Sequence, residues 1–91
     1  MEKETILVEL KNIFEKLGVE VKEQELMAYS ERAKSGLVRV KNKRMVFLES
    51  ELSIEEKIKI LLQFLREFDL EQVFISPFIR DLIENEDGEK F

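Results

Sequence analysis

The side chains in this sequence that are able to do chemistry are almost all carboxylates, ammonium groups and guanidinium groups. The chain of 91 residues has no histidine and no cysteine, against 20 Asp and Glu and 15 Lys and Arg. Without imidazole or thiol, serine–histidine and cysteine–histidine catalysis are excluded, and so are zinc sites built from these ligands. Carboxylate or lysine chemistry remains open, as does a Mg²⁺ or Ca²⁺ ion held by carboxylates.

The densest group of carboxylates lies between a predicted strand and a predicted helix. Glu49 and Glu51 are two residues apart and point the same way if the strand continues, and Glu55 and Glu56 follow at the helix start. Such a group is able to hold a hard cation weakly. The dipole of a helix N-terminus also favours Glu55 and Glu56, and this is the stronger explanation. We therefore predict no metal site, no cofactor and no catalytic residue.

The basic residues are concentrated in one segment. Residues 32–48 contain six Lys or Arg and no Asp or Glu, so this segment carries +6 while the rest of the −5 chain carries −11. A basic hairpin is suited to phosphates, which makes residues 32–44 a candidate nucleic-acid or anionic-ligand site. The candidate anion-binding residues are Arg39, Lys41, Lys43 and Arg44. The chain's acidity and the scarcity of aromatic residues argue against nucleic acid, and the alternative is that these cations pair with acidic helices.

Two long helices are predicted to flank this hairpin. Apolar residues at helical spacing predict one helix over about 4–17, with Gly18 as its left-handed C-terminal residue. A second helix is predicted over 53–68, where Ser53 and Glu56 have the spacing of a capping box. Its apolar stripe is unusually broad, which is typical of a central core helix or of one that also meets a second subunit.

A β-hairpin is predicted around a two-residue turn at Asn42-Lys43. That turn places Val38 opposite Phe47, on a wholly apolar face that we assign to the core. The opposite face is also unusually apolar, and it is the candidate interaction surface. Its residues are Leu37, Arg39, Val46 and Leu48. Two alternatives remain open: residues 26–29 or the last helix cover this face, or it mediates self-association.

The remaining segments complete a single domain over residues 1–84. A half-buried strand is predicted at 19–23, while the conformation of 24–35 is left open between helix and strand. A short helix is predicted near 77–84, and residues 85–91 form an acidic tail that we expect to be disordered. The expected fold is α+β, with a two- or three-stranded antiparallel sheet, a central hairpin, two longer helices and a short C-terminal helix.

The overall composition agrees with a small folded protein. Hydrophobic residues make up 44% and charged residues 38%, a charge content typical of proteins from hot environments. No apolar run approaches the ~20 residues that span a bilayer, and no secretion signal is recognised. We therefore expect a cytoplasmic protein.

Parts of the sequence resemble zincin-like metallopeptidases of the ImmA/IrrE type. The resemblance lies in residues 13–21 (IFEKLGVEV), in the hairpin region 36–48 and in the helix start at 52–58 (LSIEEKI). These enzymes carry His-Glu-x-x-His on that helix, whereas residues 63–67 (QFLRE) contain no His and have Phe where the catalytic Glu stands. The resemblance, which covers residues 5–68, implies the scaffold without the zinc motif, and no catalytic role carries over.

These observations favour a non-catalytic interaction module, acting as a homodimer or with another protein. The first alternative is a nucleic-acid or anionic-ligand binder that uses the basic hairpin. The second is a relic of a metallopeptidase-like fold that has kept peptide binding, with an extended peptide adding a strand at the hairpin edge.

Overall fold

A computed structural model of the chain describes residues 1–25 and 36–85. Within these residues it contains three helices and a three-stranded sheet, which confirms the α+β class. The elements are α1 (Lys3–Lys16), β1 (Glu20–Gln24), β2 (Gly36–Val40), β3 (Lys43–Glu49), α2 (Ile54–Leu65) and α3 (Pro77–Glu84). The expected tail lies outside the described residues from position 86 onward, as does most of the segment 24–35 whose conformation was left open.

The sheet is mixed, and the prediction of a purely antiparallel sheet is wrong in this detail. The strand order is β1-β3-β2, with β2 antiparallel and β1 parallel to the central strand. A parallel pair needs a long connection between its strands, and the chain from Gln24 to Lys43 supplies one that includes β2. An alternating pattern in a single strand predicts its half-buried state but not the direction of its neighbour.

The hairpin turn lies one residue earlier than predicted. Lys41 and Asn42 have positive φ angles of 51° and 68°, as the two central residues of a type I′ turn require. Val38 therefore pairs with Met45 and Leu37 with Val46. The pairing of Val38 with Phe47 was wrong by two residues, and because this shift is even, the division of side chains between the two sheet faces is unchanged.

The helices pack on the sheet face that contains Val46 and Leu48, both 0% exposed. These two residues and Val19 form one apolar cluster with buried residues of all three helices and the segment before α3. The helical members are Ile6, Leu10, Ile13, Phe14, Ile58, Leu61, Leu62, Leu65, Ile79, Leu82 and Ile83. The prediction assigned the opposite face, with Val38 and Phe47, to the core, and this assignment is wrong. Both faces of the hairpin are apolar, so alternation alone does not show which one the helices bury.

The helix ends follow local rules at two of the predicted positions. Gly18 has φ of 77°, which confirms its left-handed conformation directly after α1. The backbone N–H of Glu56 donates to the Ser53 hydroxyl over 3.3 Å, which confirms Ser53 as the N-cap of α2. Ser76 occupies the N-cap of α3 but makes no capping hydrogen bond. Its hydroxyl is buried and has no hydrogen-bond partner in the described part of the chain.

The serines at the two N-cap positions should therefore respond differently to alanine substitution. Ser53→Ala removes an acceptor from the first turn of α2, and we expect it to lower the free energy of unfolding by about 1 kcal/mol. Ser76→Ala removes a buried hydroxyl that makes no hydrogen bond, so we expect no loss or a small gain. Urea unfolding of both variants measures the difference, and equal losses would contradict this assignment of the caps.

Candidate interaction site

The four residues of the predicted interaction surface do not form a free surface. Val46 and Leu48 are core residues, which corrects the expectation that this hairpin face is available to a partner. Leu37 is half-buried against the same core, and Arg39 is exposed. Val46 and Leu48 belong to one core cluster with buried residues of all three helices, including the last one. Residues 26–29, the other proposed cover of this face, lie outside the described residues.

The opposite face of the sheet also carries apolar side chains. Val38 and Met45 are cross-strand neighbours there, and Phe47 lies two residues further along β3. Met45 and Phe47 are half-buried and Val38 is 39% exposed. Within the described residues, none of the three is among the side chains that pack against the core cluster. Phe47 was expected in the core and lies on the outer face instead.

The four predicted anion-binding residues come together at the hairpin end and are all exposed. Arg39 and Arg44 are directly opposite each other across β2 and β3, an arrangement of like charges that costs stability. The Arg44 guanidinium lies 4.3 Å from the centre of the Phe68 ring, a cation–π contact. Phe68 in turn meets Phe14 edge-on with a centroid distance of 6.0 Å. Arg44 is thereby held against the core through an aromatic pair.

The expected pairing of these cations with acidic helices is found only in part. Lys43 lies 3.8 Å from Glu20, a residue of β1 rather than of a helix. In residues 1–25 and 36–85, no carboxylate lies within ion-pair distance of Arg39, Lys41 or Arg44. Arg32 and Lys34 lie outside the described residues. Among the described residues, the hairpin end therefore keeps a concentration of positive charge that few carboxylates neutralise.

The carboxylate group near the start of α2 is engaged in structural contacts. The Glu49 carboxylate accepts a hydrogen bond from the Glu51 backbone N–H over 3.4 Å. Lys3 donates to the Glu55 carboxylate over 2.6 Å, which joins α1 to the first turn of α2. This hydrogen bond, followed by one from the backbone, lowers the pKa of Glu55. Among the described residues no set of three acidic side chains is placed to hold a metal ion.

Glu23 joins three elements through two ion pairs. Its carboxylate lies 2.8 Å from Lys11 of α1 and 3.7 Å from Lys57 of α2. Only 14% of the Lys57 side chain is exposed, so this pair is partly shielded from water. The hydrogen bond from Lys11 is the main cause that lowers the pKa of Glu23, and burial acts in the opposite direction. The sequence did not predict this contact, because the partners are distant along the chain.

Glu23→Gln should lower the free energy of unfolding by about 0.5–1 kcal/mol at neutral pH, the size expected for a largely solvated ion pair. The folded-state pKa of Glu23 lies below its ordinary value of 4.5, so the contribution is complete above that value. It disappears as the pH falls through the lowered pKa. Urea unfolding of both proteins across acid pH measures this convergence, with Glu15→Gln as the exposed control. A difference that persists in strong acid would contradict the ion-pair explanation.

A cleft lies between α1 and the segment that leads into α3. It has a volume of about 200 Å³, and its floor consists of the buried side chains of Ile13, Ile75 and Ile79. Phe74 stands at its edge and is 79% exposed, more than any other large hydrophobic residue in the described chain. The α1 side of the cleft is polar. Its residues are Glu9, Asn12 and Lys16.

The cleft was not predicted, because no element was assigned between the predicted helices at 53–68 and 77–84. The run Val73-Phe74-Ile75 was the available signal, since three consecutive apolar residues cannot all point into one core from an extended segment. The structure buries Ile75, half-buries Val73 and leaves Phe74 in solvent. An exposed aromatic ring at the edge of a cleft with an isoleucine floor and a polar rim is the kind of feature that marks an interaction site.

Three further observations say less about which surface contacts a partner. None of the helices in the described ranges has the length and apolar character to cross a bilayer. The strand β2 is an edge strand, and no described strand pairs with its free side, where the metallopeptidase resemblance would place an extended peptide. Comparison of the chain with protein-family models, with curated proteins and with solved structures finds no match. The resemblance to zincin-like metallopeptidases therefore stays a prediction.

Proposed function

We propose that this protein is a non-catalytic interaction module that works as a homodimer. The observation that carries the proposal is the exposure of Phe74 beside the isoleucine-lined cleft. Single exposed apolar residues are common in monomeric proteins, but an exposed aromatic ring at a cleft with an isoleucine floor and a polar rim forms a surface suited to a protein partner. Aromatic residues are also the type most enriched at the centres of protein interfaces.

The ionisable groups favour a binding role over a catalytic one. The chain contains neither imidazole nor thiol. The two described carboxyls with a shifted pKa, Glu23 and Glu55, are both shifted downwards by lysine partners. A general acid at neutral pH requires the opposite shift, which burial without a cation produces. Both groups therefore have a structural explanation and no feature that favours catalysis.

Sedimentation equilibrium tests the homodimer. Over a range from about 10 µM to about 1 mM, which covers weak to moderate affinities, the mass should rise from the monomer value of 10.8 kDa towards twice that value. The expected interface is small, so we expect a reversible equilibrium rather than an obligate dimer. A mass that stays at the monomer value over the whole range would refute the homodimer.

Anion binding at the hairpin end is the second candidate function, favoured by the opposed Arg39 and Arg44 with Lys41 beside them. Arg39, Lys41 and Arg44 have no carboxylate partner among the described residues, and together with Lys43 they would gain from a phosphate group. Filter binding of a single-stranded oligonucleotide at low salt tests this candidate against the variant Arg39→Gln. Affinity that falls with salt and with this substitution would support it, and no binding at low salt would remove it.

A further inference from the structure

We infer that the homodimer forms by reciprocal insertion of Phe74 into the cleft of a second copy of the chain, across a two-fold axis. This inference rests on the proposed function and goes beyond it, because it names the contact and its symmetry. The evidence consists of the size of the cleft, its position relative to Phe74 and the charges at its rim.

The size of the cleft suits a phenyl ring. Its volume is about 200 Å³, and an apolar cavity of about 150 Å³ is known to hold a benzene molecule. A fully accessible Phe exposes on the order of 200 Å², so 79% exposure leaves most of the Phe74 ring in water. Its insertion would remove much of this area from solvent and place the ring over the isoleucine floor, which is already nearly buried.

The position of Phe74 makes the contact reciprocal. Phe74 precedes Ile75 of the cleft floor, so ring and cleft lie side by side on one surface of each molecule. A two-fold axis between two such surfaces places each ring over the cleft of the other copy, and one operation satisfies both. The same surface then accounts for the exposed ring and for the unfilled cleft. A partner with a different surface would have to supply both a ring and a cleft.

The rim charges favour a second copy over a strongly charged partner. Glu9 and Lys16 stand at the two ends of the α1 side of the cleft, roughly 10 Å apart along the helix. Their charges cancel, although the chain as a whole carries −5. Antiparallel approach of two α1 helices brings Glu9 of each copy towards Lys16 of the other, so the rim complements itself.

The basic hairpin end is a poor place for two copies to meet. Arg39 and Arg44 already face each other there, and a two-fold contact would bring a second set of cations against them. The outer sheet face with Val38 is a second apolar surface of the described chain, on an element far along the sequence from Phe74. It serves as the alternative interface in the experiment below.

Sedimentation equilibrium of three variants tests the insertion. Phe74→Ser should weaken dimerisation at least about 30-fold, because each dimer loses two central aromatic contacts. Asn12→Trp places a bulky ring on the wall of the cleft and should weaken it similarly while leaving Phe74 intact. Val38→Ser on the outer sheet face is the matched control and should leave the affinity unchanged. All three positions are exposed, and thermal unfolding checks that each variant remains folded.

A mixture of two variants gives the sharper test. Phe74→Ser keeps an open cleft, and Asn12→Trp keeps the Phe74 ring. In a dimer of one copy of each, the ring of Asn12→Trp inserts into the cleft of Phe74→Ser, so one of the two insertions is restored. We expect the mixture to dimerise more tightly than either variant alone. If the wild type dimerises and Phe74→Ser leaves the affinity unchanged, the inference is wrong while the homodimer stands. If Val38→Ser alone weakens dimerisation, the interface lies on the outer sheet face. A monomeric wild type would remove the proposed homodimer and the inference with it.

Discussion

Leu48→Ala is expected to lower the free energy of unfolding by about 3–4 kcal/mol, within the usual range for a fully buried leucine. The Leu48 side chain is 0% exposed and lies in the cluster that joins the sheet to the three helices. Truncation removes apolar contacts and leaves a cavity that its neighbours fill only in part. Small domains are stable by about 5–15 kcal/mol, so this single change would remove a large share of the total.

The matched control is Arg39→Ala, on the same sheet face but exposed. We expect it to change the free energy of unfolding by at most about 0.5 kcal/mol, as for most surface substitutions. Urea unfolding measures both variants, and sedimentation at concentrations where they are folded measures association. If Leu48→Ala abolished dimerisation without loss of stability, Leu48 would be an interface residue after all, and its place in the core would be wrong.

Arg66→Met is expected to lower the free energy of unfolding by about 2–3 kcal/mol, since hydrogen bonds from charged groups contribute more than neutral ones. The Arg66 guanidinium donates to the carbonyl of Ile83 over 2.7 Å, to that of Leu82 over 3.3 Å and to that of Asn85 over 3.2 Å. Carbonyls at a helix C-terminus lack partners within the helix, and positive charge there is favoured by the helix dipole. Arg66 therefore caps α3 from the end of α2.

Two further substitutions test whether the charge of Arg66, its planar set of donors and its position are each needed for this cap. Arg66→Lys keeps the charge but loses the planar set of donors, so we expect it to recover only part of the stability. Arg80→Met removes an exposed arginine from α3 itself and should have little effect. Hydrogen exchange of the α3 amides should accelerate in Arg66→Met and remain unchanged in Arg80→Met. Equal stability of these two variants would contradict a capping role for Arg66.

The hydrogen bonds of Arg66 are an example of contacts that the sequence does not predict. The predicted helix over 53–68 includes Arg66, whereas the structure places it directly after α2 as the C-terminal cap residue. Helical spacing predicts nothing about its hydrogen-bond partners. The carbonyls that it reaches are 16 to 19 residues away, in the last turn of α3 and at Asn85 directly after it. The long side chain of arginine spans this distance only because α2 and α3 pack together. The same limit applies to Glu23, whose lysine partners lie on two different helices.

The candidate site was predicted least well. The sequence singled out the hairpin face with Val46 and Leu48, and the structure fills that face with helices. It passed over Phe74, which has the most exposed large hydrophobic side chain in the described residues. Both errors have one cause: apolar character in a sequence does not say whether another element covers the residue. The basic hairpin end was predicted better, because charged side chains at a turn remain in solvent wherever the helices pack.

The sequence by itself determined the features that depend on near neighbours along the chain. Helical periodicity, the Ser53 cap, the left-handed Gly18 and the bounds of α3 from Pro77 to Glu84 all follow from interactions within a few residues. Only the tertiary structure decided the parallel pairing of β1 with β3, the buried face of the hairpin and the cleft beside Phe74. These depend on which distant surfaces meet, and that is set by the packing of the whole core rather than by any local pattern.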